Sequence, residues 1–174
     1  TGSLGYNELL RMSAPNDTPV DNGQPGRHHQ ETCATVEWLL FNSRLYQATG
    51  RARYLQKMEQ AIYNALLAAQ SADGMNWMYY TPLRYEKRWF TGPTSCCYWS
   101  GPRAIARLPE WVYAVDNEGV RVNLYESSEA SLHFEGRGIT LRQSSLYPDD
   151  GRVILKVQPE EPFSFALRLR IPFG

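Results

Sequence analysis

"ARYLQKMEQAIYNALLAA", residues 52–69, decides how the first part of the chain folds. Apolar side chains recur along it at the spacing of an α-helix, at Tyr54, Leu55, Met58, Ala61, Ile62, Ala65, Leu66 and Ala69. That spacing predicts an amphipathic helix with one buried face. Residues 29–48 show a similar pattern and end at "TG", residues 49–50, which is typical of a helix C-terminus. The two segments together predict a helical hairpin.

A third helix is predicted further along the chain, over residues 102–113, where apolar residues again recur at helical spacing. Pro109 lies inside that range, so we expect the helix to be short or kinked. Between the hairpin and this helix, residues 76–84 read as a short extended segment. Residues 84–95 predict a polar loop that ends at a pair of adjacent cysteines.

After Asp116 the pattern changes to alternating apolar and polar residues, which predicts strands: "VRVNLY", "ASLHF", "GITLRQS", "RVILKV" and "FSFALRLRI". Short turns separate these segments, so we predict an antiparallel sheet with one buried face. In the last strand that face would consist of Phe163, Phe165, Leu167, Leu169 and Ile171. Helices followed by strands predict an α+β chain of two domains, residues 1–114 and residues 115–174.

Composition and charge give little support for nucleic acid or a membrane as a partner. The chain has 174 residues and no formal net charge, so electrostatics give no case for nucleic acid or for an anionic membrane surface. No apolar run approaches the roughly 20 residues that span a bilayer. The chain opens on "TGSLGYNELL", without a Met, and we expect a piece of a longer protein. The sequence is compatible with a homodimer.

The chain contains three cysteines, of which Cys96 and Cys97 are adjacent in "TSCCYW", residues 94–99. Neighbouring cysteines rarely form a useful disulfide, and an odd count argues against a disulfide framework. Reduced thiols slightly favour the cytoplasm over secretion. The other cysteine, Cys33, lies in "HQETCAT", two residues after Glu31.

Three thiolates need one more ligand to make the four that zinc prefers. Glu31 is one candidate for that ligand, and His28 and His29 are alternatives. The competing interpretation is that the cysteines are small apolar core residues, since free Cys is often buried.

Four sequence blocks carry a resemblance to a known family: "ETCA" at 31–34, the glutamate Glu59, "YYTPL" at 79–83 and "SCC" at 95–97. In this order they resemble glycoside hydrolase family 127, the β-L-arabinofuranosidases. The resemblance covers roughly residues 28–110 and implies the end of an (α/α)6 barrel followed by β-sandwich strands. It also implies a carbohydrate substrate that ends in β-L-arabinofuranose or a similar sugar.

The resemblance implies a retaining glycosidase in which a zinc-bound cysteine replaces the usual carboxylate nucleophile. The Zn2+ ligands would be Glu31, Cys33, Cys96 and Cys97, with Cys96 as the catalytic nucleophile and Cys97 as a ligand only.

Further residues match substrate-binding and acid/base positions of the family. Glu59, Tyr79 and Tyr80 match positions that contact the sugar. In the alternative interpretation, Glu59 is a solvated glutamate on the helix surface and the two tyrosines are core residues. Trp77, Trp89 and Trp99 could stack on a sugar ring or simply pack.

The chain departs from the family pattern at two points that bear on catalysis. Pro15 stands where the family's spacing predicts the acid/base glutamate, which leaves Glu8 as the catalytic acid/base candidate, with Asp17 and Asp21 as other nearby acids. The cysteine pair is followed by "YWS" where the family usually has "PPN". Two alternatives follow: a non-catalytic, zinc-binding carbohydrate-binding or structural relative, and a helical module whose cysteines are core residues without a metal.

Overall fold

A computed structural model describes residues 29–82 and 96–172, without the side chains of His29, Gln30, Tyr80 and Pro82. Several predicted features lie outside the described residues, namely Glu8, Pro15, Asp17, Asp21, His28, Trp89 and the loop 84–95. The chain forms two compact units, Thr1–Arg107 and Leu108–Gly174. This division falls before the domain boundary that we predicted at 114/115, which stays a prediction.

The first unit contains the predicted helical hairpin. Helix α1 spans Thr32–Thr49 and ends at Gly50, whose φ of 64° places it in the left-handed region. The Gly50 N–H donates to the Tyr46 carbonyl at 2.7 Å, which terminates the helix in the manner of an αL cap. Helix α2 begins at Ala52, so the connection between the two helices is very short.

Helix α2 spans Ala52–Ala61 and continues as a π-helical turn, Ile62–Leu66, and a 3-10 turn, Leu67–Ala69. These three segments together cover the range that we predicted as one helix. The apolar stripe forms the buried face, with Leu55, Met58, Ala61, Ile62, Ala65, Leu66 and Ala69 all buried. The periodicity therefore identified the buried side chains correctly but not the change in helical winding.

A short antiparallel ribbon leads into α1. One of its strands lies in the segment predicted as extended, residues 76–84, whereas the other occupies residues 29–31, so the predicted helix start at residue 29 is wrong. Strand β1, His29–Glu31, pairs with β2, Tyr80–Pro82, so that Glu31 lies opposite Tyr80. Thr32 fixes the junction with α1, since its N–H donates to the Tyr79 carbonyl at 3.1 Å and its Oγ1 donates to the Met78 carbonyl at 2.7 Å. The ribbon thereby holds Glu31 at the start of the helix.

Helix α3 spans Cys96–Arg107, so the predicted start at residue 102 is wrong. The cysteine pair lies in the first described turn of this helix. A separate short helix, α4, spans Pro109–Val112 and begins at the proline, whose fixed φ and missing N–H suit the first helical position. Pro109 thus divides the predicted third helix into two.

The second unit contains two three-stranded sheets rather than the single antiparallel sheet that we predicted. One sheet has the order β3–β4–β8, formed by Tyr113–Asp116, Gly119–Val122 and Ala166–Leu169. Its β4–β8 pair is parallel, which corrects the prediction, because alternation identifies a strand but not its partner. The other sheet is antiparallel and consists of β5 Ser128–Phe134, β6 Arg137–Ser145 and β7 Val153–Pro159.

The core of this unit is formed by Val112, Tyr113, Val120, Val122, Phe134, Ile139 and Leu141. Phe163, Phe165 and Leu167 pack against it as predicted. Leu169 and Ile171 do not, since they are 51% and 76% exposed. The predicted buried face of the last strand is therefore wrong for these two residues.

Among the described residues, none of the helices combines the length and the apolar character that a membrane span needs.

Candidate metal centre

Three cysteines and one glutamate converge in the helical unit. Glu31 ends β1, Cys33 lies in the first turn of α1, and Cys96 and Cys97 open α3. One ligand atom from each of these four residues lies within 4.8 Å of the others. Residues more than 60 positions apart in the sequence thus meet because the β1–β2 ribbon and the two helices bring their ends together.

The separations within this cluster suit ligands of one ion. The sulfurs of Cys33 and Cys97 are 3.2 Å apart, and the Cys97 sulfur is 4.0 Å from Oε1 of Glu31. A tetrahedral ion with metal–sulfur bonds of about 2.3 Å places two sulfurs about 3.8 Å apart. A disulfide would need about 2.05 Å, and all three cysteines are free. The donor set therefore fits a metal ion.

The protonation of the thiols also bears on metal binding. Burial raises the pKa of Cys33 and, more strongly, the pKa of Cys97. The pKa of Cys96 is lowered, mainly because the Cys33 side chain donates a hydrogen bond to its thiolate. Burial makes these thiols resist ionisation, and a carboxyl group lies beside them. They can all become thiolates only if a positive charge is present, and a bound cation supplies that charge.

Cys96 and Cys97 occupy different environments. Cys97 is completely buried and lies against both Cys33 and Glu31. Cys96 is exposed, and its sulfur donates to the hydroxyl oxygen of Tyr79 at 3.9 Å. Because Cys96 is exposed and Cys33 is only half-buried, the interpretation of the three cysteines as core residues is wrong. Cys96 is the most exposed of the three cysteines.

The other predicted site residues that the structure describes differ in burial and in their distance from the cysteines. Glu59 on α2 is only 7% exposed, so the alternative of a solvated surface glutamate is wrong. Tyr79 is half-buried beside Cys96, and the backbone of Tyr80 pairs with Glu31. Trp77 is 2% exposed and therefore packs rather than stacking on a sugar, whereas Trp99 is 63% exposed.

Three further residues make contacts between α1 and α3 and were not predicted: Ser100, Arg103 and Glu37. The Oγ of Ser100 lies 3.4 Å from the Cys33 sulfur. Arg103 on α3 forms an ion pair with Glu37 on α1 at 3.0 Å, which joins the two helices, although such exposed pairs contribute only about 0–1 kcal/mol. Helical spacing from Cys96 would have identified Ser100 had the helix start been predicted correctly.

A helical unit that brings together three cysteines and a glutamate able to hold a metal ion, followed by a β unit, defines the class of chain. Residues 15–110 match the family model of the β-L-arabinofuranosidase GH127 catalytic domain, and residues 119–173 match that of the GH127 middle domain. The chain therefore belongs to glycoside hydrolase family 127.

Known relatives agree with this assignment. The chain is 27% identical to a non-reducing end β-L-arabinofuranosidase of Bifidobacterium longum subsp. longum, over 99% of this chain and 28% of that protein. A GH127 β-L-arabinofuranosidase from Geobacillus stearothermophilus superposes on 91% of this chain with a TM-score of 0.75 and 28% identity. A GH127 β-arabinofuranosidase covers 83% with a TM-score of 0.76 and 36% identity.

The chain covers only part of each relative. It spans 26% of the Geobacillus structure and 23% of the other GH127 structure. The regions matched include both the helical unit and the β unit, because more than four-fifths of this chain is covered in each case.

Proposed function

We propose that the chain contributes the nucleophile and the metal centre of a zinc-dependent, retaining glycoside hydrolase. The substrate would be a glycan with a β-L-arabinofuranosyl residue, or a similar sugar, at its non-reducing end. The observation that carries the proposal is the cluster of Glu31, Cys33, Cys96 and Cys97, whose ligand atoms lie within 4.8 Å of one another. Family membership supports the substrate class, and the proposed architecture is the end of an (α/α)6 barrel followed by β-sandwich strands.

The proposed metal is zinc, because three thiolates and a carboxylate are ligands that a tetrahedral Zn2+ accepts. Bound zinc would keep the cysteine sulfurs as thiolates at neutral pH. The ion would be held by three less exposed ligands, Glu31, Cys33 and Cys97. Cys96, which is exposed, is the ligand whose sulfur a substrate can reach.

The first step of the proposed reaction is an attack by the Cys96 thiolate on the anomeric carbon of the sugar. A carbon–sulfur bond forms and the bond from the anomeric carbon to the leaving oxygen breaks. A carboxylic acid, for which Glu8 is the proposed residue, gives its proton to the leaving oxygen.

In the second step the resulting carboxylate takes a proton from water, and the water oxygen attacks the anomeric carbon. The carbon–sulfur bond breaks and the thiolate of Cys96 is regenerated. Each step inverts the anomeric centre, so the product keeps the configuration of the substrate.

Three residues are proposed to bind the sugar. Tyr79 is supported by position, since its hydroxyl lies 3.9 Å from the Cys96 sulfur. Glu59 is supported by its burial at 7% exposure, which is unusual for a glutamate without a structural or binding role. Tyr80 is supported by the pairing of its backbone with Glu31.

The proposal predicts hydrolysis of an aryl β-L-arabinofuranoside with retention of configuration. Proton NMR of the first product formed, recorded before mutarotation, should show the β anomer. The α-L anomer of the same aryl glycoside is a matched control and should react far more slowly. Initial formation of the α product would contradict the double-displacement mechanism. Bound zinc without any turnover would favour the non-catalytic, carbohydrate-binding relative.

A second prediction concerns the acid/base. Glu8→Gln should reduce kcat by about 10^2- to 10^4-fold, the usual contribution of a general acid–base residue. The loss should be smaller for substrates whose leaving group is a weakly basic phenolate, because that oxygen needs less help from a proton. Asp17→Asn is the matched control and should leave kcat unchanged. Unchanged turnover in Glu8→Gln would remove Glu8 from the mechanism.

A further inference from the structure

Ser100 on α3 has no part in the proposed mechanism, yet it contacts the metal cluster. It follows Cys96 by four residues and Cys97 by three, so it lies on the same face of the helix as the cysteine pair. Its Oγ is 3.4 Å from the sulfur of Cys33, which comes from α1. The Ser100 hydroxyl thus meets the ligand that the opposite helix supplies.

The direction of this hydrogen bond depends on the state of Cys33. As a thiol, Cys33 can donate its one proton either to the Cys96 sulfur or to the Ser100 oxygen. Metal coordination removes the thiol proton, so the sulfur can then only accept a hydrogen bond. A serine hydroxyl is both a donor and an acceptor and can rotate, so Ser100 can reverse its role without moving.

We propose that Ser100 is a positioning residue of the metal centre, whose hydroxyl donates to the Cys33 thiolate and controls how strongly that sulfur binds the ion. This inference rests on the proposed function, because it requires a metal ion in the cluster. Three thiolates and a carboxylate bring more negative charge than a divalent ion neutralises. A hydrogen-bond donor directed at one sulfur therefore stabilises the loaded cluster.

The local geometry supports this role over a purely helical one. A serine within a helix often bonds the backbone carbonyl one turn earlier. In the described part of the chain, the Ser100 hydroxyl instead meets the Cys33 sulfur. Ser100 is half-buried, so water competes only partly for this contact.

The test uses the purified protein with Co2+ in place of zinc, because sulfur-to-cobalt charge transfer reports the electron density on the thiolates. In Ser100→Ala the loss of the donor should shift this absorption band to lower energy and weaken metal affinity about tenfold, as measured by competition with a chromophoric chelator. Ser100→Thr keeps the hydroxyl and should restore both values.

Ser43→Ala is the matched control, since the Ser43 hydroxyl lies on the same helix as Cys33 but donates to the Leu40 carbonyl at 2.8 Å. It should leave the band and the affinity unchanged. An unshifted band in Ser100→Ala, or an equal shift in Ser43→Ala, would overturn the proposed role of Ser100 but not the metal centre. If the unsubstituted protein shows no charge-transfer band with Co2+, the metal centre itself is overturned, and the inference with it.

Discussion

Cys96→Ala is expected to abolish glycoside hydrolysis while the protein still binds zinc, whereas Cys97→Ala is expected to lose both. The difference follows from their environments. Cys96 is exposed, so its removal would take away the proposed attacking sulfur and leave Glu31, Cys33 and Cys97 as the proposed ligands. Cys97 is completely buried between Cys33 and Glu31, so its removal opens the centre of the ligand set.

Turnover of Cys96→Ala should fall by at least about 10^4-fold, the scale on which the loss of a nucleophile acts in other hydrolases. Zinc content by mass spectrometry and turnover of an aryl β-L-arabinofuranoside, measured on the same samples, separate the two roles. Turnover of Cys96→Ala within tenfold of the unsubstituted protein would contradict Cys96 as the nucleophile. Full zinc content in Cys97→Ala would contradict Cys97 as a ligand.

Gly101→Ala is the second substitution with a large expected effect, although it changes no proposed ligand. A methyl group at Gly101 would lie 2.2 Å from Cε3 of Trp77 and 2.4 Å from its Cδ2. Trp77 is 2% exposed and its ring is rigid, so it cannot move aside without disturbing the core. We expect a loss of about 1–3 kcal/mol or more in the free energy of unfolding.

The same clash should also disturb the metal centre. Gly101 lies one helical turn after Cys97, so a displacement of α3 from Trp77 moves the cysteine pair. Gly101→Ala should therefore lower both the thermal midpoint of unfolding and the zinc content. Gly151→Ala is the matched control, because a methyl group there meets nothing within 4 Å. A Gly101→Ala variant with unchanged midpoint and full zinc would show that α3 does not depend on this contact.

The residue types alone predicted the cluster only in part. Three thiols suggested a metal site, but the fourth ligand stayed open between Glu31, His28 and His29. The set of Glu31, Cys33, Cys96 and Cys97 followed from the family resemblance, and the structure brings these four residues together. The different environments of Cys96 and Cys97 could not be derived in the same way. They depend on how α3 packs against α1, which no local pattern encodes.

The fold was predictable where a periodic pattern was long, as in residues 52–69, and failed where it was short. Strand β1 has only three residues, which is too few for any periodicity to show. The start of α3 was missed because Pro102 resembles a helix start, although it lies within the first turns of the helix. The parallel partner of β8 was missed because alternating residues predict a strand and not its neighbour.

X-ray absorption at the zinc edge, on protein purified without chelator, would identify the ligands of the proposed ion. We expect bound zinc with a first shell of three sulfurs at about 2.3 Å and one oxygen at about 2.0–2.2 Å. A shell of nitrogen and oxygen alone, or the absence of stoichiometric zinc, would contradict the assignment of Glu31, Cys33, Cys96 and Cys97 as its ligands.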